Sequence, residues 1–197
     1  MQRQAGGQMI RDWLLPEHGL SPVARETFGA WCVFYALFLI YAATNATGFL
    51  FIDYANLMFH EAGHVEFSWA GYYTRILGGT LGELIVPLVC LLIFLRRGET
   101  TAVAFSAFWT FENFLYIAAY MADARRSALP LVGGDESDWT ILFSHWGVLG
   151  FDTRIAAIVR GLGWVGMLAS IGWLWWRFLI SQDLPATGSS WKLEARG

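Results

Sequence analysis

Long apolar runs dominate this 197-residue chain and restrict the folds open to it. Residues 27–52 contain no charged side chain, and residues 77–95, 100–121 and 155–180 contain very few. About 20 mainly apolar residues are enough for a helix to cross the hydrocarbon core of a bilayer. Runs of this length predict an all-α fold, a polytopic integral membrane helix bundle with about four to six transmembrane or partly inserted helices.

The composition agrees with the lipid bilayer as the solvent of this chain. Hydrophobic residues make up 56% of the sequence and charged residues 15%, and the mean hydropathy is +0.44. The net charge is −3, and the sequence has no basic stripe that could displace counterions from phosphates, so we exclude nucleic acid as a partner. Cys32 and Cys90 lie inside apolar runs without the CxxC spacing of a metal or redox pair, and we interpret them as packing residues.

The charge pattern divides the chain into three parts. We predict a juxtamembrane N-terminal arm at residues 1–26, a single membrane domain at residues 27–180 and a polar C-terminal tail at residues 181–197. Within the membrane domain, residues 122–138 form the longest polar connection, and residues 139–151 are long enough only for a short, partly inserted helix. Arginines occur on every connection, so the positive-inside rule leaves the orientation open; we expect both termini on the cytoplasmic side.

Residues 54–73 differ from the other runs because they are apolar yet carry His60, Glu61, His64 and Glu66. Each ionisable group at bilayer depth costs roughly 2.5–3.5 kcal/mol, so such a segment has to face protein, water or a metal ion. Two histidines four residues apart on a helix project from one face, and both rings can then reach a single ion at about 2.0–2.1 Å. The pair therefore predicts a divalent-metal site, with zinc as the ion.

Glu61 completes the HExxH pattern in the sequence HEAGH. In enzymes with this pattern the glutamate is not a ligand; it accepts a proton from the water that the metal activates and passes it to the leaving group. We therefore predict that His60 and His64 are metal ligands and Glu61 is the catalytic base. Two alternatives stay open: the three side chains pair with other buried polar groups and link helices, or a histidine binds a haem or pigment.

A zinc site of this type needs at least one more protein ligand and an open position. We predict Asp123 as that ligand, because it lies just past the end of a span and its carboxylate could fold back towards the histidines. His145, Glu83 and Glu112 are the alternative ligands. Glu83, Glu112 and Asn113 are also candidates for hydrogen bonds that orient a ligating histidine. No pattern in the sequence predicts an organic cofactor.

The order of these features resembles two known groups of membrane proteins. HEAGH in an apolar segment, followed by an apolar hairpin and an Asp-bearing connection, is similar to the site-2 protease class of membrane metalloproteases. In that class two histidines and a distant aspartate hold zinc, and the aspartate usually lies in an LDG-type motif of a later helix. Here the corresponding sequence is ADAR, with Asp123.

A longer pattern resembles a family of small, uncharacterised bacterial membrane proteins. The pattern is HEAGH, then GGTLGELIVP, then YMADARRSALPLVGG and a following DW, and it covers about residues 57–155. Members often carry a histidine before the DW pair, where this chain has Ser137. The resemblance implies a multi-pass protein of the bacterial cytoplasmic membrane and brings no established substrate.

Two functions from different classes follow from these patterns. The first is a membrane-embedded, zinc-dependent hydrolase, in particular a peptidase, because the HExxH pattern supplies two ligands and a base. The second is a non-catalytic subunit of a larger membrane complex, such as a respiratory or photosynthetic one, that keeps HEAGH as a metal or structural site. In the second case other membrane proteins would be the partners of this chain.

Overall fold

The computed structural model describes residues 19–130 and 136–183, and helices account for most of them. Within these ranges there are six α-helices and no β-strand, which confirms the predicted all-α class. The N-terminal arm predicted for residues 1–26 lies largely outside the described residues, as does the tail beyond residue 183. In chain order the helices are α1 (Arg25–Thr44), α2 (Asp53–Glu66), α3 (Tyr72–Arg97), α4 (Thr100–Ala122), α5 (Asp138–His145) and α6 (Asp152–Asp183).

Four of these helices, α1, α3, α4 and α6, are long and apolar enough to cross a membrane. Their outward faces carry large apolar side chains that no other part of the described chain covers. On α1, for example, Val33, Leu37 and Ile40 are 60%, 63% and 62% exposed. Monomeric soluble proteins rarely expose apolar surface on this scale. The arrangement is that of a multi-pass membrane protein.

The four long helices alternate in direction, which gives the bundle two distinct ends. At the first end, the backbone N–H of Ser21 donates to the Gly98 carbonyl at 2.8 Å, and the Val23 N–H donates to the Ser181 hydroxyl at 3.3 Å. The starts of α1 and α4 therefore lie beside the ends of α3 and α6. The opposite, second end contains the ends of α1 and α4 and the starts of α3 and α6.

The first helix is shorter than the apolar run from which it was predicted. The run covers residues 27–52, but α1 ends at Thr44 because Asn45 turns the chain. The Asn45 Oδ1 accepts from the N–H groups of Thr47 and Gly48 at 3.0 and 2.9 Å, and Gly48 has a φ of 71°. A short polar side chain that bonds the backbone ahead of it favours a turn over a helix. The chain then folds back towards the bundle, and no single span covers residues 27–52.

The helix that carries HEAGH does not span the bundle. α2 has 14 residues, a length of about 21 Å, against roughly 30 Å of hydrocarbon core. Its beginning lies deep, because the Asn56 Nδ2 donates to Glu112 in the middle of α4 at 3.1 Å. Its end, followed by a single 3₁₀ turn, reaches the second end where α3 begins. The metal-bearing segment predicted at residues 54–73 is thus a partly inserted helix plus a turn.

Glycines bring α2 and α3 into direct backbone contact. A Cβ on Gly78 would lie 2.7 Å from the Gly63 carbonyl oxygen, and one on Gly82 would meet the Phe59 carbonyl. The glycine group at the start of α3 therefore lets the two helices approach closely. Because Gly63 lies against Gly78 and Phe59 against Gly82, the two helices run antiparallel, and the HEAGH residues face the first half of α3.

Candidate metal centre

The side chains of His60 and His64 leave the same face of α2 and meet one carboxylate. The Nε2 atoms of His60 and His64 lie 2.8 and 3.1 Å from the Asp138 Oδ2. The two ring centroids are 4.8 Å apart. His60 is buried, whereas His64 and Asp138 are partly exposed. Three atoms that can act as metal donors thus converge at the wall of a cavity.

The tautomer of His64 follows from its second contact. The His64 Nδ1 lies 2.8 Å from the backbone carbonyl oxygen of Arg75, and a carbonyl only accepts, so Nδ1 carries the proton. In the neutral ring the Nε2 then bears a lone pair, and that lone pair faces the Asp138 carboxylate. The His64 Nε2 and the Asp138 Oδ2 would then be two acceptors 3.1 Å apart, and such a contact needs a proton or a metal ion between the two atoms.

The second nitrogen of His60 faces Glu83. The His60 Nδ1 lies 3.7 Å from the Glu83 Oε1, too long for a hydrogen bond but on the side where an orienting carboxylate would sit. Glu83 is 1% exposed, and its Oε2 has no hydrogen-bond partner among the described residues. A metal-bound imidazole usually donates its other N–H to a carboxylate or carbonyl. The Arg75 carbonyl is such an acceptor for His64, and Glu83 lies on the corresponding side of His60 without forming the hydrogen bond.

α5 places Asp138 opposite the histidines. Asp138 is the first residue of α5, and the Thr140 hydroxyl donates to the Ala124 carbonyl just past the end of α4. Trp139, Leu142 and Phe143 are buried in the apolar cluster that joins α5 to α3, α4 and α6. This packing fixes the start of α5 beside α2.

Two distances between the donor atoms can be compared with those of a tetrahedral metal site. Bonds of about 2.0–2.1 Å at tetrahedral angles separate the ligand atoms by about 3.3 Å. The distances of 2.8 and 3.1 Å from the Asp138 Oδ2 to the two Nε2 atoms are slightly shorter, so the carboxylate would need to move away from each ring by only a few tenths of an ångström to accept an ion. His60, His64 and Asp138 could therefore hold a metal with one position open.

Glu61 lies beside this group on the cavity side. Ligand atoms of His60, Glu61 and His64 all fall within 4.8 Å of one another. All three residues and Asp138 line a cavity of about 840 Å³. Four tyrosines also line this cavity: Tyr54, Tyr72, Tyr116 and Tyr120. A carboxylate at this distance can reach a water molecule at the open position.

The charges around the rings favour a cation at their centre. Burial lowers the pKa of His60, but the carboxylates of Asp138 and Glu83 outweigh this effect and raise the pKa to about 9. Asp138 likewise raises the pKa of His64. Burial raises the pKa of Asp138, but its hydrogen bonds to the two histidines and their charges together have the larger effect. The pKa of Asp138 is therefore below its usual value. Positive charge between these groups is stabilised whether protons or a metal ion carry it.

The structure does not bring Asp123, the predicted third ligand, to the histidines. α4 ends at Ala122, and the Asp123 Oδ2 accepts from the backbone N–H groups of Ala128 and Leu129 at 2.9 and 2.8 Å. Asp123 also lines a different cavity. Its carboxylate stabilises the turn after α4, and Asp138 occupies the position expected for it.

The other candidate residues divide between the site and its surroundings. His145 lies at the far end of α5 from Asp138 and stacks on Tyr73, with ring centroids 3.6 Å apart. Glu112 accepts from Asn56, and Asn113 donates to the Trp109 carbonyl at 3.1 Å, so both belong to helix contacts. Of the predicted alternatives, Glu83 is the one whose described contacts reach a histidine of the pair.

Sequence reasoning missed Asp138, although the DW pair that contains it is part of the pattern behind the family resemblance. An acidic residue at the start of a short apolar helix commonly serves the helix terminus, so nothing local distinguished it from an ordinary N-terminal charge. No family model matches the chain, and comparisons with curated proteins and with solved structures gave no match. The resemblances drawn from the motifs stay predictions.

Proposed function

We propose that this chain is a membrane-embedded, zinc-dependent hydrolase that cleaves peptide bonds, and that it resides in the bacterial cytoplasmic membrane. One observation carries the proposal: the two imidazole Nε2 atoms of the HEAGH helix converge on the Asp138 Oδ2, beside Glu61 and at an open cavity. A helix-linking ion pair would need neither the glutamate nor the cavity.

Zinc fits the donor set because two imidazole nitrogens and one carboxylate oxygen, with a fourth position open, are typical of catalytic zinc. A bound zinc ion lowers the pKa of water towards about 7 and polarises a carbonyl group. The proposal assigns the ligand role to His60, His64 and Asp138. It replaces Asp123 in that role and leaves the roles predicted for the two histidines unchanged.

The remaining residues handle the proton and the orientation of the rings. Glu61 accepts the proton of the attacking water and delivers it to the leaving amine. The Arg75 carbonyl accepts from the Nδ1–H of His64, and Glu83 lies 3.7 Å from the His60 Nδ1, where a small shift on metal binding would let it accept as well. Both Nε2 atoms then present lone pairs. The apolar bundle restricts water entry to the cavity, which strengthens the electrostatic interactions within it.

The cavity supports a substrate larger than water. Its volume of about 840 Å³ lies within the range of small-molecule and peptide sites, roughly 300–1,000 Å³. The site lies next to Gly79, seven residues along α3 from Tyr72 and hence about 10 Å from the second end of the bundle. An extended peptide that enters from that end reaches Glu61 without crossing the bundle.

Glu61→Gln is expected to keep the zinc content of wild type and to lower peptide hydrolysis by at least about 100-fold, because the glutamate moves protons and does not coordinate. His60→Ala with His64→Ala is expected to remove both zinc and activity. Elemental analysis and cleavage of a fluorogenic casein peptide, measured on the same detergent-purified samples, report the two properties separately.

Glu66→Gln provides the matched control, since Glu66 is an exposed glutamate on the same helix, away from the ring pair. We expect wild-type zinc and wild-type cleavage for this variant. Equal loss of zinc in Glu61→Gln and in the double histidine variant would make Glu61 a ligand and contradict the assignment of the base.

A second candidate function is a non-catalytic subunit of a larger membrane complex. The outer face of α2 and the turn after it favour it, because Met58, Val65 and Trp69 are 68%, 74% and 82% exposed and could contact partner helices. Purification in mild detergent separates the two proposals. A subunit is expected to co-purify with fixed partners and to show no cleavage, whereas the hydrolase acts as an isolated chain.

A further inference from the structure

A second cavity, of about 380 Å³, lies at the second end of the bundle, away from the ring pair. It is bounded by the end of α1 and the turn after it, the end of α4, and α6. Two basic residues line it: Arg126, in the turn after α4, and Arg160, on α6. Both are exposed, and neither forms an ion pair with an acidic group of the described residues.

Neighbouring arginines at the same end of the bundle are satisfied in other ways. Arg125 holds the Asp152 carboxylate with two contacts, of 2.8 and 2.6 Å. The Arg154 guanidinium lies over the Phe151 ring, 5.8 Å from its centroid. Arg126 and Arg160 differ from these two because they line a cavity and their side chains have no partner among the described residues.

The acidic residues of the cavity wall, Asp53 and Asp123, form no ion pair with these two guanidinium groups. Asp53 is 1% exposed, and its oxygens accept from the Leu50 N–H at 2.6 Å and from Asn56 at 2.9 Å. Asp123 gives its Oδ2 to two backbone N–H groups of the turn after α4. Neither carboxylate forms a hydrogen bond or an ion pair with the side chain of Arg126 or Arg160, so both guanidinium groups keep donors that an anion can accept from.

We propose that this cavity binds the phosphate of an anionic phospholipid headgroup. Arginine suits phosphate because its planar guanidinium donates two parallel hydrogen bonds. The surroundings favour a lipid over a free ion: Trp164 and Leu168 follow Arg160 by one and two turns on the same side of α6, and Leu168 is 54% exposed. Acyl chains can cover this apolar surface while the headgroup remains in the cavity. Trp164, also in the wall, is a residue type enriched at membrane interfaces.

The test uses the full chain in detergent micelles that contain equal amounts of phosphatidylglycerol and phosphatidylcholine, with bound lipid measured by native mass spectrometry. Wild type is expected to retain phosphatidylglycerol preferentially. Arg126→Gln and Arg160→Gln should each weaken the preference about fivefold, and the double variant about 25-fold, because one basic residue near a membrane contributes about 1 kcal/mol. Arg154→Gln, which removes a charge from the same end but not from the cavity, should leave it unchanged.

Three outcomes would overturn the proposal: no preference in wild type, the same preference in the double variant, or the same loss in Arg154→Gln. Displacement of phosphatidylglycerol by millimolar inorganic phosphate would show a site for free phosphate and would also contradict the lipid assignment. The double variant Arg126→Lys with Arg160→Lys keeps both charges and controls for misfolding of the Gln variants. It should retain most of the preference for phosphatidylglycerol. The result is independent of zinc binding and of hydrolysis.

Discussion

Asp138→Ala is expected to lower the zinc affinity of the purified protein by at least about 100-fold. Loss of a residue that only orients a ligand typically lowers metal affinity 10–100-fold. This substitution removes a direct ligand and the negative charge that attracts the cation. Asp138→Asn should have a smaller effect, since a neutral amide oxygen is a weaker ligand for a dication. Competition with a fluorescent chelator measures both affinities.

Asp123→Ala is the control, because it removes the carboxylate that sequence reasoning assigned to the metal. We expect unchanged zinc affinity and a loss of about 1–2 kcal/mol of stability, since the N–H groups of Ala128 and Leu129 lose their acceptor. The reverse outcome, with zinc lost in Asp123→Ala and kept in Asp138→Ala, would contradict the ligand set. Wild-type zinc affinity in both variants would show that neither carboxylate is a ligand.

Gly79→Ala is expected to lower zinc affinity at least 10-fold and to destabilise the protein by about 1–3 kcal/mol. A Cβ at this position would lie 2.5–2.7 Å from three atoms of the His60 ring. The ring has little freedom to withdraw, because it is 3% exposed and is enclosed by Asp138 and Glu83. The added methyl group therefore displaces either the imidazole or the whole of α2.

Gly172→Ala provides the matched control on α6, where a Cβ would meet nothing within 4 Å. Alanine is favoured over glycine inside a helix by roughly 0.5–1 kcal/mol, so this variant should bind zinc normally and be as stable as wild type or more so. Thermal unfolding in detergent, followed with and without added zinc, compares the two variants. Wild-type zinc binding by Gly79→Ala would show that the His60 position does not depend on this close approach.

Properties that depend on long stretches of sequence could be predicted well. The apolar runs predict the helical class and four helices of spanning length, because hydrophobic length is a property of the segment itself. The close contact between α2 and α3 likewise has a local cause, because the glycines at the start of α3 have no side chains to hold the helices apart. The end of α1 at Thr44 was missed, since it depends on hydrogen bonds from the single side chain of Asn45.

The third donor of the candidate metal centre depends on tertiary packing. Asp123 and Asp138 lie on the same polar connection, and both are carboxylates next to an apolar helix. What separates them is the burial of Trp139, Leu142 and Phe143, which holds α5 against its neighbours and turns Asp138 towards α2. Such docking leaves little trace in the local sequence, whereas the i, i+4 spacing of the histidines is visible directly.

The zinc content of the natively purified protein tests the central claim most directly. Full-length protein is extracted in mild detergent without chelators, purified without a metal-affinity step and analysed for all first-row transition metals. The proposal predicts about one zinc ion per chain in wild type and none above background in His60→Ala with His64→Ala. A correctly folded wild-type protein that contains no stoichiometric metal, and takes up none when zinc is added, would contradict it.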